Sequence, residues 1–121
     1  MSSTFSLVIV SAPQTSQGSL SAYHFAKALL KKNHSLLRVF FYSDGATHGM
    51  MGEIPQDEFN VHEAWQHLAE EYHFELAVCS GSFFRRGGTP ETAFIPPFQL
   101  KGLTALSESY LHSDKVIVFG S

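Results

Sequence analysis

Apolar and polar positions along this chain follow two alternating periods. Ser6 to Val10 is a nearly continuous apolar run rich in β-branched residues, and the small, polar stretch Ser11 to Gly18 follows it. This is the pattern of a buried strand and its loop. From Ser19 the period changes. Leu20, Tyr23, Phe25, Ala26 and Leu29 recur at helical spacing, while Lys27, Lys31 and Lys32 fall elsewhere or in the last turn, where cations suit the helix dipole. The spacing predicts an amphipathic helix ending near Asn33. Leu36 to Tyr42 is apolar again and closes on Ser43, Asp44 and Gly45, giving the strand, helix, strand succession of a parallel crossover unit.

Ala46 to Gln56 carries glycines and a proline between ordered elements and reads as a long functional loop with at most one helical turn. Asp57 opens a second helix, with Val61, Ala64, Trp65, Leu68 and Tyr72 as its apolar stripe and Glu70 and Glu71 toward water. Phe74 to Val78 makes a third strand that ends at Cys79. Ser80 to Arg86 forms a short helix closed by Gly87 and Gly88, before a proline-containing connection through Gln99. Leu103, Leu106, Tyr110 and Leu111 mark a last helix, and Lys115 to Phe119 a last strand. A fifth strand fits Phe94 to Phe98, where Pro96 and Pro97 would confine it to a sheet edge. The expected fold is a single α/β domain over residues 1–121: an open, three-layer arrangement with a mostly parallel sheet of four to five strands flanked by helices.

Composition narrows the function. With 121 residues the chain is the size of one domain. Its formal charge is −3, with only eight Lys and Arg, which argues against a nucleic-acid surface. No run approaches the roughly 20 apolar residues of a membrane helix, and the N-terminus lacks the regions of a signal peptide, so a cytoplasmic protein is expected. A single cysteine excludes an internal disulfide and a cysteine-only zinc site within the chain.

That cysteine, Cys79, falls at the carboxyl end of the third strand, where open α/β sheets hold their ligands. The following helix start and Arg85 and Arg86 are features that favour thiolate. Free cysteine is also among the most buried residue types, so the residues alone leave two readings open, core filler and nucleophile. With no resolving cysteine in the chain, sulfur taken up by Cys79 has to leave to another molecule, which suits a carrier rather than an oxidoreductase. A cysteine hydrolase would need a neighbouring base, and His24, His48, His62, His67 and His73 are spread without a local signature. The run Gly45-Ala-Thr-His-Gly-Met-Met-Gly52 lacks the lysine of a phosphate loop and the G-x-G-x-x-G spacing of a dinucleotide site. It reads as a loop beside Cys79, with Met50 and Met51 either a docking surface or packed against the domain. For Arg85 and Arg86, a solvated helix face, a partner contact and a role at the thiol all stay open.

Several segments together resemble a known family. Ala22, Phe25, Ala26 and Ala28-Leu29, then Val39-Phe40-Phe41-Tyr42 with Gly45, then Asp57-Glu58-Phe59 leading into Ala64-Trp65-Gln66, are similar to the DsrE/TusD-like sulfurtransferases. So are Cys79 with Arg85-Arg86-Gly87 and the ending Phe98, Leu100, Gly102-Leu103, Ala105-Leu106 and Asp114. The resemblance implies a DsrE-like fold of the flavodoxin and Rossmann type and a sulfur relay serving 2-thiolation of the tRNA wobble uridine. Its implied hetero-oligomeric partners are TusB- and TusC-like subunits, with a TusA-like donor and a TusE-like acceptor. The family's active cysteine maps onto Cys79, as a persulfide carrier that needs no metal or organic cofactor. Two rival readings are a DsrE-type carrier of dissimilatory sulfur oxidation and a non-catalytic, partner-binding subunit of the same fold.

Overall fold

A computed structural model describes residues 2–10, 17–49, 61–88 and 97–120. Strand β1 (Thr4–Ile9) leads to helix α1 (Gln17–Lys31) and strand β2 (Ser35–Phe41), followed by a 3-10 segment (Ser43–Gly49). Helix α2 (Val61–Tyr72), strand β3 (Glu75–Cys79) and the six-residue helix α3 (Ser80–Arg85) come next. Strand β4 (Phe98–Lys101), helix α4 (Thr104–His112) and strand β5 (Lys115–Phe119) complete the order.

The five strands form one sheet in the order β4-β3-β2-β1-β5, and every neighbouring pair is parallel. This order dictates where the helices lie. From β1 to β4 the chain steps in one direction, so right-handed crossovers put their helices on one face; the return from β4 to β5 runs the other way and puts α4 on the opposite face. The burial agrees. Leu7, Ile9, Val39, Phe41, Leu76 and Val78 join Ala22, Ala26, Leu29, Trp65 and Leu68 of α1 and α2 in one core cluster, which also takes in Phe83 of α3. Val8, Phe40, Ala77 and Cys79 belong to a second, smaller cluster with Ala105 of α4.

Alternation along β2 breaks once. Phe5 pairs with Leu36 and Ser6 with Arg38, so Leu37 is an extra residue, and the bulge lets Leu36 and Val39 face the same cluster despite their spacing. Trp65 anchors that cluster, meeting Tyr23 and Phe41 edge-on at centroid distances of 5.5 and 5.9 Å, while Phe41 leans on Phe98 of β4 at 5.5 Å. Helices α1 and α2 end on residues in the left-handed region, Asn33 (φ 67°) and His73 (φ 59°), the usual device for leaving a helix.

One expectation needs correction. The fifth strand exists and lies at an edge, as Phe98–Lys101, so the connection ends before Phe98 and not at Gln99; of the expected segment Phe94 to Phe98, Pro97 is a turn and residues 94–96 lie outside the described residues. Pro96 and Pro97 carry no N–H for a ladder, and pairing begins at the residue after them. The expected last helix is present as α4, and of the apolar residues that mark it Leu106 packs, partly buried, against the sheet. Leu103, Tyr110 and Leu111 are exposed, and α4 meets the sheet through Ala105, Leu106 and Ser109. The cause is Arg38, which rises from β2 to donate from Nη1 to the Ala105 carbonyl (2.7 Å) and to Ser109 Oγ (3.1 Å). Small side chains let the helix backbone come that close. Among the described residues no helix is long and apolar enough to cross a membrane.

Candidate active site

Cys79 is the last residue of β3 and the N-cap of α3, with φ −62° and ψ 117°. Its side chain makes no capping hydrogen bond, so the backbone at the strand-helix junction sets its direction. Cys79 is 3% exposed. Its cluster is apolar: Val8, Phe40, Ala77 and Ala105 are buried with it, and Val10, Tyr42, Leu106 and Val116 pack against them. On the neighbouring edge strand Lys101 stands in register with Cys79, on the same face of the sheet. The Lys101 ammonium, however, lies 3.6 Å from Glu75 Oε1.

The carboxyl ends of β1, β2 and β3 are tied together beside this residue. Tyr42 N–H donates to the Ile9 carbonyl and Gly45 N–H to the Tyr42 carbonyl, each at 2.9 Å. Gly45 sits against β1 so closely that a Cβ would lie 2.0 Å from the Ile9 carbonyl oxygen, which makes glycine obligatory there for space. Ser43, between the two, adopts φ 57°. Its N–H donates to the hydroxyl of buried Ser82 (3.1 Å), and its own hydroxyl accepts from Arg86 Nη2 (3.1 Å). The end of α3 is closed by Gly87 at φ 93° and by Gly88, whose N–H donates to the Phe83 carbonyl (2.9 Å) and whose Cα packs on the Phe83 ring.

Arg85 and Arg86, adjacent in sequence, therefore part company. Arg86 turns to Ser43, while Arg85 is exposed and lies over Gly81, one helical turn back. Ser43 and Ser82 were not singled out by sequence reasoning. The Ser43-Asp44-Gly45 turn is legible, but a hydroxyl acceptor 39 residues away leaves no local pattern. Of the histidines, His24, His67 and His73 are exposed on α1, α2 and the turn after it, away from Cys79, and the side chains of His48 and His62 lie outside the described residues. No group of three or more His, Cys, Asp or Glu among the described residues is arranged to hold a metal ion. Ala46 to Gly49 belong to the 3-10 segment, whereas Met50, Met51 and the rest of the expected loop to Gln56 lie outside the described residues, as does the expected helix start at Asp57.

Comparison with known proteins gives this arrangement a family. The DsrE/DsrF-like family matches residues 5–119. The chain is 38% identical to the protein DsrE of Allochromatium vinosum, covering 96% of this chain and 98% of that one. It is 36% identical to a TusD sulfurtransferase homologue of Vibrio parahaemolyticus (96% and 97% covered) and 38% identical to the sulfurtransferase TusD of Cronobacter sakazakii (95% and 98%). Among solved structures, the ychN protein of E. coli superposes with a TM-score of 0.81 over 98% of this chain and all of its own, at 24% identity, which bears on the fold alone. The chain belongs to the DsrE/DsrF-like family, and its relatives in that family include sulfurtransferases of the TusD type.

Proposed function

We propose that this protein carries sulfur as a persulfide on Cys79 and passes it to an acceptor protein. The observation that carries the reading is the position of the chain's one cysteine, at the carboxyl end of the third parallel strand and the start of a helix, in a relative of TusD. The Cys79 thiolate attacks the outer sulfur of a donor persulfide, forming a new S–S bond while the donor's S–S bond breaks and the donor leaves as thiolate. An acceptor thiolate then attacks the outer sulfur of the Cys79 persulfide and regenerates the Cys79 thiolate. No net oxidation occurs, and no metal or organic cofactor takes part. Because Cys79 is buried, exchange requires the side chains packed over it to shift and admit the donor while the backbone of α3 stays in place.

The pathway we assign is the cytoplasmic relay for 2-thiolation of the tRNA wobble uridine. In it the chain assembles with TusB- and TusC-like subunits, receives sulfur from a TusA-like donor and delivers it to a TusE-like acceptor. The 38% identity to DsrE equals that to one TusD and supports a second reading, a carrier in dissimilatory sulfur oxidation. Mass spectrometry of the protein after incubation with a persulfide donor tests the chemistry. One added sulfur on Cys79, absent from Cys79→Ser, is expected; full loading of that variant would sink the proposal. Deletion of the gene, followed by assay of 2-thiouridine in tRNA, separates the two pathways.

A further inference from the structure

We propose that Arg86 is a positioning residue for Cys79, acting through Ser43 and Ser82 on the helix that begins at the thiol. The inference rests on the reading of Cys79 as the sulfur carrier and extends it to the residues that hold that carrier in place.

Three features converge on the link. Ser43 has a positive φ of 57°, a strained conformation for a residue other than glycine that persists only where its surroundings hold it. The surroundings here are explicit: its N–H is held by the hydroxyl of Ser82, which is fully buried, and its own hydroxyl by the Arg86 guanidinium. Arg86 N–H also donates to the Ser82 and Phe83 carbonyls (3.2 and 3.3 Å), so the links from Ser43 to Ser82 and to Arg86 close a ring through the backbone of α3. On its far side the same turn is fixed to β1, where Gly45 is pressed against the Ile9 carbonyl. Thus α3 is fastened to the ends of β1 and β2 by side chains as well as by its own chain.

The consequence falls on Cys79. Ser82 lies one helical turn after it, and the thiol, lacking a side-chain cap bond, takes its direction from this backbone. Helix α3 has only six residues, too few to hold itself in place by its own hydrogen bonds. Arg86 supplies the outside restraint, and its planar guanidinium suits a hydroxyl acceptor at a fixed angle better than an ammonium would.

The test uses the full chain and four variants: Arg86→Ala, Arg86→Lys, Ser43→Gly and the double variant Arg86→Ala/Ser43→Gly. Glycine at 43 tolerates the positive φ and keeps the N–H to Ser82, so it removes only the hydroxyl. Rates of sulfur uptake by Cys79 from glutathione persulfide are measured against pH, with thermal melting to confirm folding. Arg86→Ala and Ser43→Gly should each lower the high-pH plateau about tenfold without moving the midpoint. The double variant should fall no further, because both residues serve one link, and Arg86→Lys should recover part of the loss. A moved midpoint with an unchanged plateau would overturn the proposal by making Arg86 an electrostatic group. So would a normal plateau in Arg86→Ala with only a lowered melting temperature, or additive losses in the double variant. If the unmutated protein takes up no sulfur, the carrier reading itself fails. The plateau for iodoacetamide alkylation of Cys79 across the same variants then decides the positioning role alone, with equal plateaus rejecting it.

Discussion

Arg38 on β2 donates two hydrogen bonds to one oxygen of Glu75 on β3, from Nε at 3.0 Å and from Nη2 at 2.9 Å, while its third nitrogen holds α4. The pair lies mostly out of water, with side-chain exposures of 11% and 24%. Among the described residues Glu75 Oε1 has no hydrogen-bond partner, and the Lys101 ammonium stands 3.6 Å from it, too far for a bond. This network is a polar fastening of α4 to its face of the sheet. Arg38→Met leaves the carboxylate half-compensated by Lys101 and should destabilise the fold by about 3 kcal/mol, the low end for breaking a buried pair. Arg38→Met combined with Glu75→Leu should recover most of that loss, since neither charge remains to be desolvated. Urea unfolding of the three proteins checks both statements.

Gly45→Ala tests the packing of the turn beside the candidate site. A Cβ there meets the carbonyl oxygen and carbon of Ile9 at 2.0 and 2.9 Å, and backbone atoms cannot step aside as a side chain can. We expect a loss of about 3 kcal/mol in urea unfolding. A variant as stable as the parent would mean that this contact is not tight in solution.

His73→Gly should act in the opposite direction. His73 is exposed just past α2 with φ 59°, and its N–H already closes the helix on the Ala69 carbonyl at 2.8 Å. Glycine relieves the left-handed strain of roughly 1–2 kcal/mol but adds freedom to the unfolded chain worth up to about 1 kcal/mol. The net expectation is a gain of roughly 0.5 kcal/mol, visible as a higher urea midpoint with an unchanged slope.

Cys79→Ser separates fold from chemistry. A hydroxyl in the apolar surroundings of this residue costs about 1–2 kcal/mol, so the variant should remain folded, with a modestly lowered melting temperature. Persulfide uptake should vanish. Loss of folding would point to a packing role for Cys79, and retained uptake to a different sulfur acceptor.

Much of the architecture was legible because burial and periodicity are local properties. β1, β2 and β3 are covered on both faces, so their sequences are nearly unbroken apolar runs, and α1 and α2 show the stripe of a helix with one face in the core. Pattern reading stopped where another element set the rule. Leu103, Leu106, Tyr110 and Leu111 mark the helix, yet which of them packs is set by the Arg38 side chain beneath α4, which meets Ala105 and Ser109 and leaves only Leu106 of the four against the sheet. At β4, Phe98–Lys101 is too short to show a clear period, and the prolines pointed to the right region while blurring the start.

By itself the sequence determined an α/β chain with a parallel sheet, because strands and helices alternate with spacings that only crossovers satisfy. It also determined that any covalent sulfur chemistry on a cysteine centres on Cys79, the one thiol the chain has. Tertiary structure alone decided what surrounds that thiol. Parallel pairing places Lys101 opposite it, the return from β4 to β5 carries α4 to its face of the sheet, and chain closure brings Ser43 to Ser82 and Arg86. Each of these contacts joins residues more than twenty positions apart, where no helical or strand period can register them.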